Sequence, residues 1–364
     1  MFPTEVIIDY NVLKDNFNAF KRRFPTTRLA AIVKSNAYGH GLVQTSRAFI
    51  DGGADLLAVF RVDEAVRLRE AGIPCRVLCL LGPLPHEADK AAALDNVTMG
   101  IFSLEQAHAL SNAAVARNRT IQIHLAVDTG MGRLGFLPDE APEAARTIAS
   151  LPNLELKGIY SHVAKASVPD DPMTLKQVAD FRRVIPQLPA GCTENHLCAS
   201  EALMNRLAPE LPMARPGICL YKEVTLPGDD APLTRDAMTL RTRLVSVKCL
   251  PAGHPVSYGC TRILTRDSVV GIAPLGYDDG VLRSLSNRAS ALVRGCRVPF
   301  LGRVCMSMIM LDLTDVPDAA TDDEVVLMGR QGDDAITLEE LANAAQTTWH
   351  ELTCNIGRCQ LALS

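Results

Sequence analysis

The sequence predicts an α/β protein, a (β/α)8 barrel followed by a mostly β C-terminal domain. Short apolar runs alternate with longer amphipathic stretches over the first two-thirds of the chain, and eight such runs can be counted. After about residue 236 the texture changes to long alternating strands with few helices. The length of 364 residues and the 48% hydrophobic content suit two domains, or one large barrel with an addition.

The apolar runs lie at 29–33, 56–60, 76–81, 97–102, 121–127, 156–162, 194–200 and 213–221. Near-continuous apolar strands are buried on both faces, as in a parallel sheet, and closing that sheet gives the barrel. A doubly wound open sheet is the alternative. Segments 62–72, 103–116 and 173–185 space their apolar residues by three and four, so helices are expected there. Ser103 and Gln106 have the spacing of a capping box. The polar, proline-containing segment 225–236 marks a boundary, assigning residues 1–236 to the barrel and 237–364 to the β domain. Strands are expected within 240–250, 268–276, 290–313 and 323–329, with 337–346 the one helical stretch.

The net charge of −4, from 37 basic and 41 acidic residues interspersed, leaves no basic field for nucleic acid or an anionic membrane. Apolar runs fall short of the roughly 20 residues that cross a bilayer. The N-terminus is acidic where a signal peptide would be basic and then apolar, so a cytoplasmic protein is expected. Eleven cysteines sit singly, and Cys79, Cys198, Cys219, Cys249 and Cys305 lie in apolar segments where cysteine behaves as a small buried hydrophobe. That usage fits a reducing compartment and argues against structural zinc; no metal site is expected.

A (β/α)8 barrel works at the carboxyl ends of its strands. There the count places Lys34, the segment VDTGMGRLG (127–135), His162, Ser200 and Arg215 to Gly217. Each alone has a plainer role: a snorkelling lysine, a core histidine, a helix-capping serine. Five such positions on one face are harder to explain that way. Ser200 and the N–H groups of Gly217 and Ile218 follow strands 7 and 8, where such barrels bind phosphate. A phosphate there and a lysine on strand 1 describe an aldehyde cofactor held at both ends. Pyridoxal 5'-phosphate meets that description and needs a partner for its pyridine nitrogen, a role open to Arg215.

The motifs AIVKSNAYGHG (31–41), DTGMGRLG (128–135), SH (161–162), ARPGICLY (214–221), VSYGCTR (256–262), GYDDG (276–280) and GRVCM (302–306) resemble those of alanine racemases, pyridoxal-phosphate enzymes of fold type III. The resemblance covers nearly the whole chain. It implies that Lys34 holds the cofactor and serves as one base, that Tyr38 reaches toward the phosphate, and that Arg133 lies beside the cofactor and the substrate carboxylate. It also implies that Tyr258 is the second base, acting in the other subunit of a head-to-tail homodimer, with Tyr277 and Met306 near the substrate. His162 and Arg215 are candidates for favouring the Tyr258 phenolate. D-alanine supply for peptidoglycan is the role the family suggests.

Several positions depart from the family pattern. Ala126 replaces a lysine, often carbamylated, that orients the arginine matching Arg133, and Ser167 and Ser307 replace acidic residues. Phe60 and Arg61 stand where small residues are usual, and Lys222 where glycine is. These departures are compatible with harmless drift or with a preference for serine or another amino acid. A non-catalytic pyridoxal-phosphate binder and a fold type III decarboxylase are the competing readings. The binder lacks a β domain, and the decarboxylase pairs the pyridine nitrogen with an acid.

Overall fold

The computed structural model describes residues 4–359, which divide into two compact units. The larger comprises Asn11–Ala37 and Leu42–Arg235. Its strands are β2 (Arg28–Ile32), β3 (Leu56–Val59), β4 (Arg76–Cys79), β5 (Val97–Ile101), β6 (Ile121–Ala126), β7 (Leu154–Tyr160), β8 (His196–Ala199) and β9 (Met213–Arg215). They pair in parallel and close when β2 pairs with β9, Leu29 opposite Ala214. The expected barrel is therefore present. Strands LLAV (β3) and VTMGI (β5) are buried at every position, as a sheet covered on both faces demands.

The last barrel strand is shorter than its apolar run. Pro216 has no N–H to give the ladder, and the chain leaves β9 there to form the tight turn Ile218–Leu220. The helices Val62–Glu70, Leu104–Ala116 and Pro172–Val184 fall where the periodicity puts them. Ser103 caps the second by accepting from the Gln106 amide. The capping box is only half made, because Gln106 Oε1 takes the Phe102 N–H instead. The same buried side chain donates to the Leu81 and Pro83 carbonyls at 2.9 and 2.8 Å, tying the helix to the preceding loop.

The smaller unit contains the segment ending at Tyr10, Tyr38–Gly41 and the chain from Asp236. A strand the sequence did not announce, β1 (Glu5–Ile8), pairs antiparallel with β10 (Met238–Arg243). The remaining strands are β11 (Ser246–Leu250), β12 (Pro255–Val256), β13 (Arg262–Ile263), β14 (Ser268–Ala273), β15 (Ser290–Val293), β16 (Cys296–Pro299), β17 (Ile309–Asp312), β18 (Glu324–Gln331) and β19 (Asp334–Ile336). One sheet runs β1-β10-β18-β15-β16 with β19 on β18, a second runs β11-β14-β17, and β12 and β13 form a ribbon.

Two expectations are corrected here. Besides the helix Leu338–Ala345 there is a second, Trp349–Cys359, whose inward side chains include Leu352, Thr353 and Ile356. Cys249 is exposed and Cys305 half-buried, whereas Cys79, Cys198 and Cys219 are buried as expected. Cys249 lies on β11, whose run of apolar letters does not correspond to a covered face. Among the described residues no helix is long and apolar enough to cross a membrane.

Helix Trp349–Cys359 is where the segment Tyr38–Gly41 docks. A Cβ on Gly357 would lie 2.1 Å from the Gly39 carbonyl oxygen, and one on Gly39, at φ +86°, would lie 2.1 Å from that of Thr353. Helix propensity alone would make Gly357→Ala stabilising by about 1 kcal/mol. We expect the opposite sign, a loss of about 1–3 kcal/mol from overpacking against backbone, measured by denaturant unfolding of the variant beside the parent.

Candidate active site

At the end of β2 the chain turns through an unusual path. Lys34 is half-buried, and Ser35, Asn36, Ala37 and Tyr38 all have φ between 52° and 54°, in the left-handed region. None is glycine, so the run is strained and needs fixing by its surroundings. The buried Glu64 provides part of that. Its Oε1 accepts from the Ser35 N–H at 2.6 Å, and its Oε2 accepts from the N–H groups of Phe60 and Arg61 at 2.8 and 3.0 Å. Asn36 Oδ1 accepts from the Leu42 N–H at 3.0 Å, anchoring the next helix, Leu42–Asp51. The ammonium of Lys34 lies 5.6 Å from the centroid of Phe60, over its face.

After β6 the loop 128–133 folds around the carboxylate of Asp128. Oδ1 accepts from the N–H groups of Gly130, Met131 and Gly132, and Oδ2 from that of Arg133 at 3.0 Å. Partial burial pushes this carboxyl upward, but the four amides outweigh it and hold the group below its usual value. Thr129 Oγ1 and Ser161 Oγ are 2.8 Å apart, and the buried Gln177 donates to the His162 carbonyl at 3.0 Å, joining this loop to the end of β7. The Arg133 side chain is exposed and has no hydrogen-bond or ion-pair partner among the described residues. Ala126 is buried.

His162 is held neutral, its pKa driven down to about 3 by burial first and then by the positive charges of Arg215, Arg133 and Lys34. Lys34, His162 and Arg215 each stand at or just past the carboxyl end of a barrel strand, and Arg133 in the loop after β6. Ser200 does not cap its helix, because Ala199 occupies the capping position. Its Oγ instead accepts from the Gly217 N–H at 2.9 Å, beside the turn that begins at Ile218. Tyr221, at the end of that turn, donates to the Ile32 carbonyl at 2.7 Å and closes the site across β2.

Arg215 is buried, and its guanidinium donates to the carbonyls of Ser161 (2.6 Å), His196 (3.0 Å) and Leu197 (3.1 Å) and to His196 Nδ1. Burial lowers it from 12.5 to about 10, so it remains a cation at neutral pH.

The other expected residues lie in the smaller unit. Tyr258, Tyr277 and Met306 are exposed at 69, 48 and 54%. The 303–306 strip organises them: Ser257, itself at φ +65°, donates through Oγ to the Arg303 carbonyl, and the N–H groups of Tyr277 and Asp278 donate to the carbonyls of Cys305 and Met306. A cavity of about 370 Å³ beside Tyr258 is lined by Val256, Cys305 and Met310 among others. Tyr38 belongs to the segment docked on helix Trp349–Cys359, its ring 5.7 Å from that of His350. Sequence reasoning did not single out Glu64, Gln177 or His196, and it marked the segment 127–135 without assigning Asp128 a role. Asp128 carried a local signal, an aspartate opening a glycine-punctuated turn; the other three carried none.

Residues 8–224 match the alanine racemase N-terminal domain, and residues 237–361 match the alanine racemase C-terminal domain. The chain belongs to the alanine racemase family. It is 38% identical to the alanine racemase of Syntrophobacter fumaroxidans, over 97% of this chain and 95% of that protein. Identity to the Symbiobacterium thermophilum alanine racemase is also 38%, over 98 and 96% of the two chains. The crystal structure of alanine racemase from E. faecalis matches with a TM-score of 0.91 at 31% identity, covering 100% of this chain and 98% of that one. The enzyme from the D-cycloserine producer Streptomyces lavendulae matches at 0.89 and 31%, covering 100 and 97%. Membership makes the chain an amino acid racemase, an isomerase.

The Asp128 nest gives a pH prediction. Its folded pKa is depressed, so the order it confers is full above the ordinary value of 3.8 and is lost as pH falls through the lower folded value. Amide hydrogen exchange should show Gly130–Arg133 losing protection on acidification below 3.8, and Asp128→Asn should weaken that protection already at neutral pH.

Proposed function

We propose that this chain is a pyridoxal-phosphate-dependent racemase that interconverts L- and D-alanine with Lys34 and Tyr258 as bases on opposite faces of the substrate. The observation that carries the reading is the donor set at the barrel mouth: a lysine, a buried cationic arginine, and a serine hydroxyl beside a backbone turn. These groups fit the cofactor. Lys34 would hold its aldehyde carbon, Ser200 (its hydroxyl oriented by the Gly217 amide) and the Ile218 amide its phosphate, toward which the family resemblance also directs Gly217 and Tyr38, and Arg215 its pyridine nitrogen. When bound, pyridoxal phosphate acidifies the α-hydrogen of an amino acid by delocalising the electron pair left behind.

The chain's own residues then divide the remaining work. Lys34 and Tyr258 hold and return the proton, while Arg133, with Met306 and Tyr277, orients the carboxylate. A neutral His162 accepts or donates a hydrogen bond without adding a fourth charge to the cluster. Arg215 keeps its own proton and disfavours protonation of the pyridine nitrogen. An acid in its place would make the ring a stronger electron sink and open routes such as decarboxylation.

On this reading the enzyme is a cytoplasmic homodimer supplying D-alanine, with Tyr258, Tyr277 and Met306 offered to the partner's barrel. The wide exposure of all three supports that arrangement. Removing a positioned acid or base costs about 10²- to 10⁴-fold. Loaded with pyridoxal phosphate in deuterated water, the parent should exchange the α-hydrogen of alanine with inversion, faster than that of other amino acids. Lys34→Ala and Tyr258→Phe should each lose rate on that scale. Carbon dioxide release in place of exchange, or no exchange with any L- or D-amino acid, would overturn the proposal.

A further inference from the structure

A file of polar side chains runs through the otherwise apolar interior of the barrel and ends at Arg215. His196 Nδ1 meets the Arg215 guanidinium, and His196 Nε2 is 2.8 Å from His124 Nδ1. His124 Nε2 is 3.0 Å from Glu194 Oε2. At the far end Arg76 grips Glu194 with two bonds of 2.6 and 2.7 Å, and Arg28 adds a third at 3.3 Å. Both imidazoles are buried, at 1 and 0% exposure.

The chemistry of the two ends decides where the ring protons sit. A guanidinium only donates, so His196 Nδ1 must present a lone pair. A carboxylate only accepts, so His124 Nε2 must carry a proton. With both rings neutral, the middle bond then has one possible direction, from His196 Nε2–H to His124 Nδ1. Both ends impose the same order, and burial favours the neutral rings it requires. The plane of His196 is fixed as well, stacked on Tyr160 at 5.4 Å and 9°.

We infer that Glu194, His124 and His196 are positioning residues that lock one tautomer through the barrel, so that His196 holds the Arg215 guanidinium in place while no carboxylate touches it. The arrangement keeps the arginine's charge directed at the barrel mouth. A carboxylate in contact with Arg215 would orient it equally well but would neutralise it. Placing the anion two imidazoles away separates orientation from neutralisation. This rests on the reading of Arg215 as the pyridine-nitrogen partner, which fails separately, by absence of cofactor binding or of α-hydrogen exchange.

The test uses the full chain loaded with pyridoxal phosphate and labelled with ¹⁵N-histidine. Long-range ¹H–¹⁵N correlation spectra at neutral pH should show His124 and His196 both protonated at Nε2 and bare at Nδ1. A proton on His196 Nδ1, or a doubly protonated ring at either position, overturns the inference with no variant needed. In Glu194→Gln the amide can donate as well as accept, so a second tautomer should appear and the cofactor's visible absorption should shift. The rate of exchange should fall about 10- to 100-fold, the scale on which removing the outer partner of a metal-ligating histidine acts. Glu194→Asp should restore the single tautomer. Unchanged tautomers and absorption in a folded Glu194→Gln protein would also overturn it.

Discussion

The charge of Arg215 has to be kept inside a barrel, and much of the site's architecture follows from that. An unpaired ion in such an interior is costly, so every partner must be supplied by the fold. Here the partners are three backbone carbonyls and an imidazole nitrogen, all neutral. Strand β9 stops immediately after this residue, and the bulged pairing of β8 with β9 turns the His196 and Leu197 carbonyls toward it. The guanidinium is therefore oriented by dipoles, and what it offers a ligand is a full positive charge.

Two carboxylates of the barrel unit, by contrast, fix backbone. Glu64 collects three amides from two loops, and Asp128 collects four from one. Each converts a glycine-rich or strained loop into a defined platform, because an ionised acceptor forms stronger bonds to N–H donors than a neutral one. The consequence for Arg133 is specific: its backbone is tied by Asp128, but its guanidinium is not. With alanine at 126, the side chain's orientation is left to whatever anion meets it, which the substrate carboxylate provides on the proposed reading.

The barrel was legible because parallel strands are buried on both faces and so leave near-continuous apolar runs, as in β3 and β5. Lys34, His162, Ser200 and Arg215 were legible because a polar residue closing such a run stands out. His124 and His196 were not. Inside an apolar run they look like tolerated core residues, and only the closed barrel brings them to 2.8 Å across 72 positions of sequence. Strand β1 was missed for a related reason: EVII is short, and its partner Arg241 lies more than two hundred residues away. Helix Trp349–Cys359 carries few aliphatic residues and a glycine, Gly357, needed for contact with Gly39. Sequence patterns report burial and local conformation, whereas these features depend on contact at long range.

The position of Lys34 is the last link, because its strand alone does not determine it. Four successive non-glycine residues in the left-handed region, Ser35 to Tyr38, carry about 1–2 kcal/mol each. Together that is on the order of the entire stability of a typical domain, about 5–15 kcal/mol. Such a run persists only if its surroundings over-determine it. Glu64 fixes its first amide, Asn36 fixes the helix that follows, and Gly39 admits no larger side chain against Thr353. The strain is thus concentrated directly after the lysine, and relaxing it would move the amine. A left-handed turn whose first amide is held by Glu64 keeps a flexible four-carbon side chain rooted at one place on the barrel rim, which is what the proposed role of Lys34 as one of two bases would require of it.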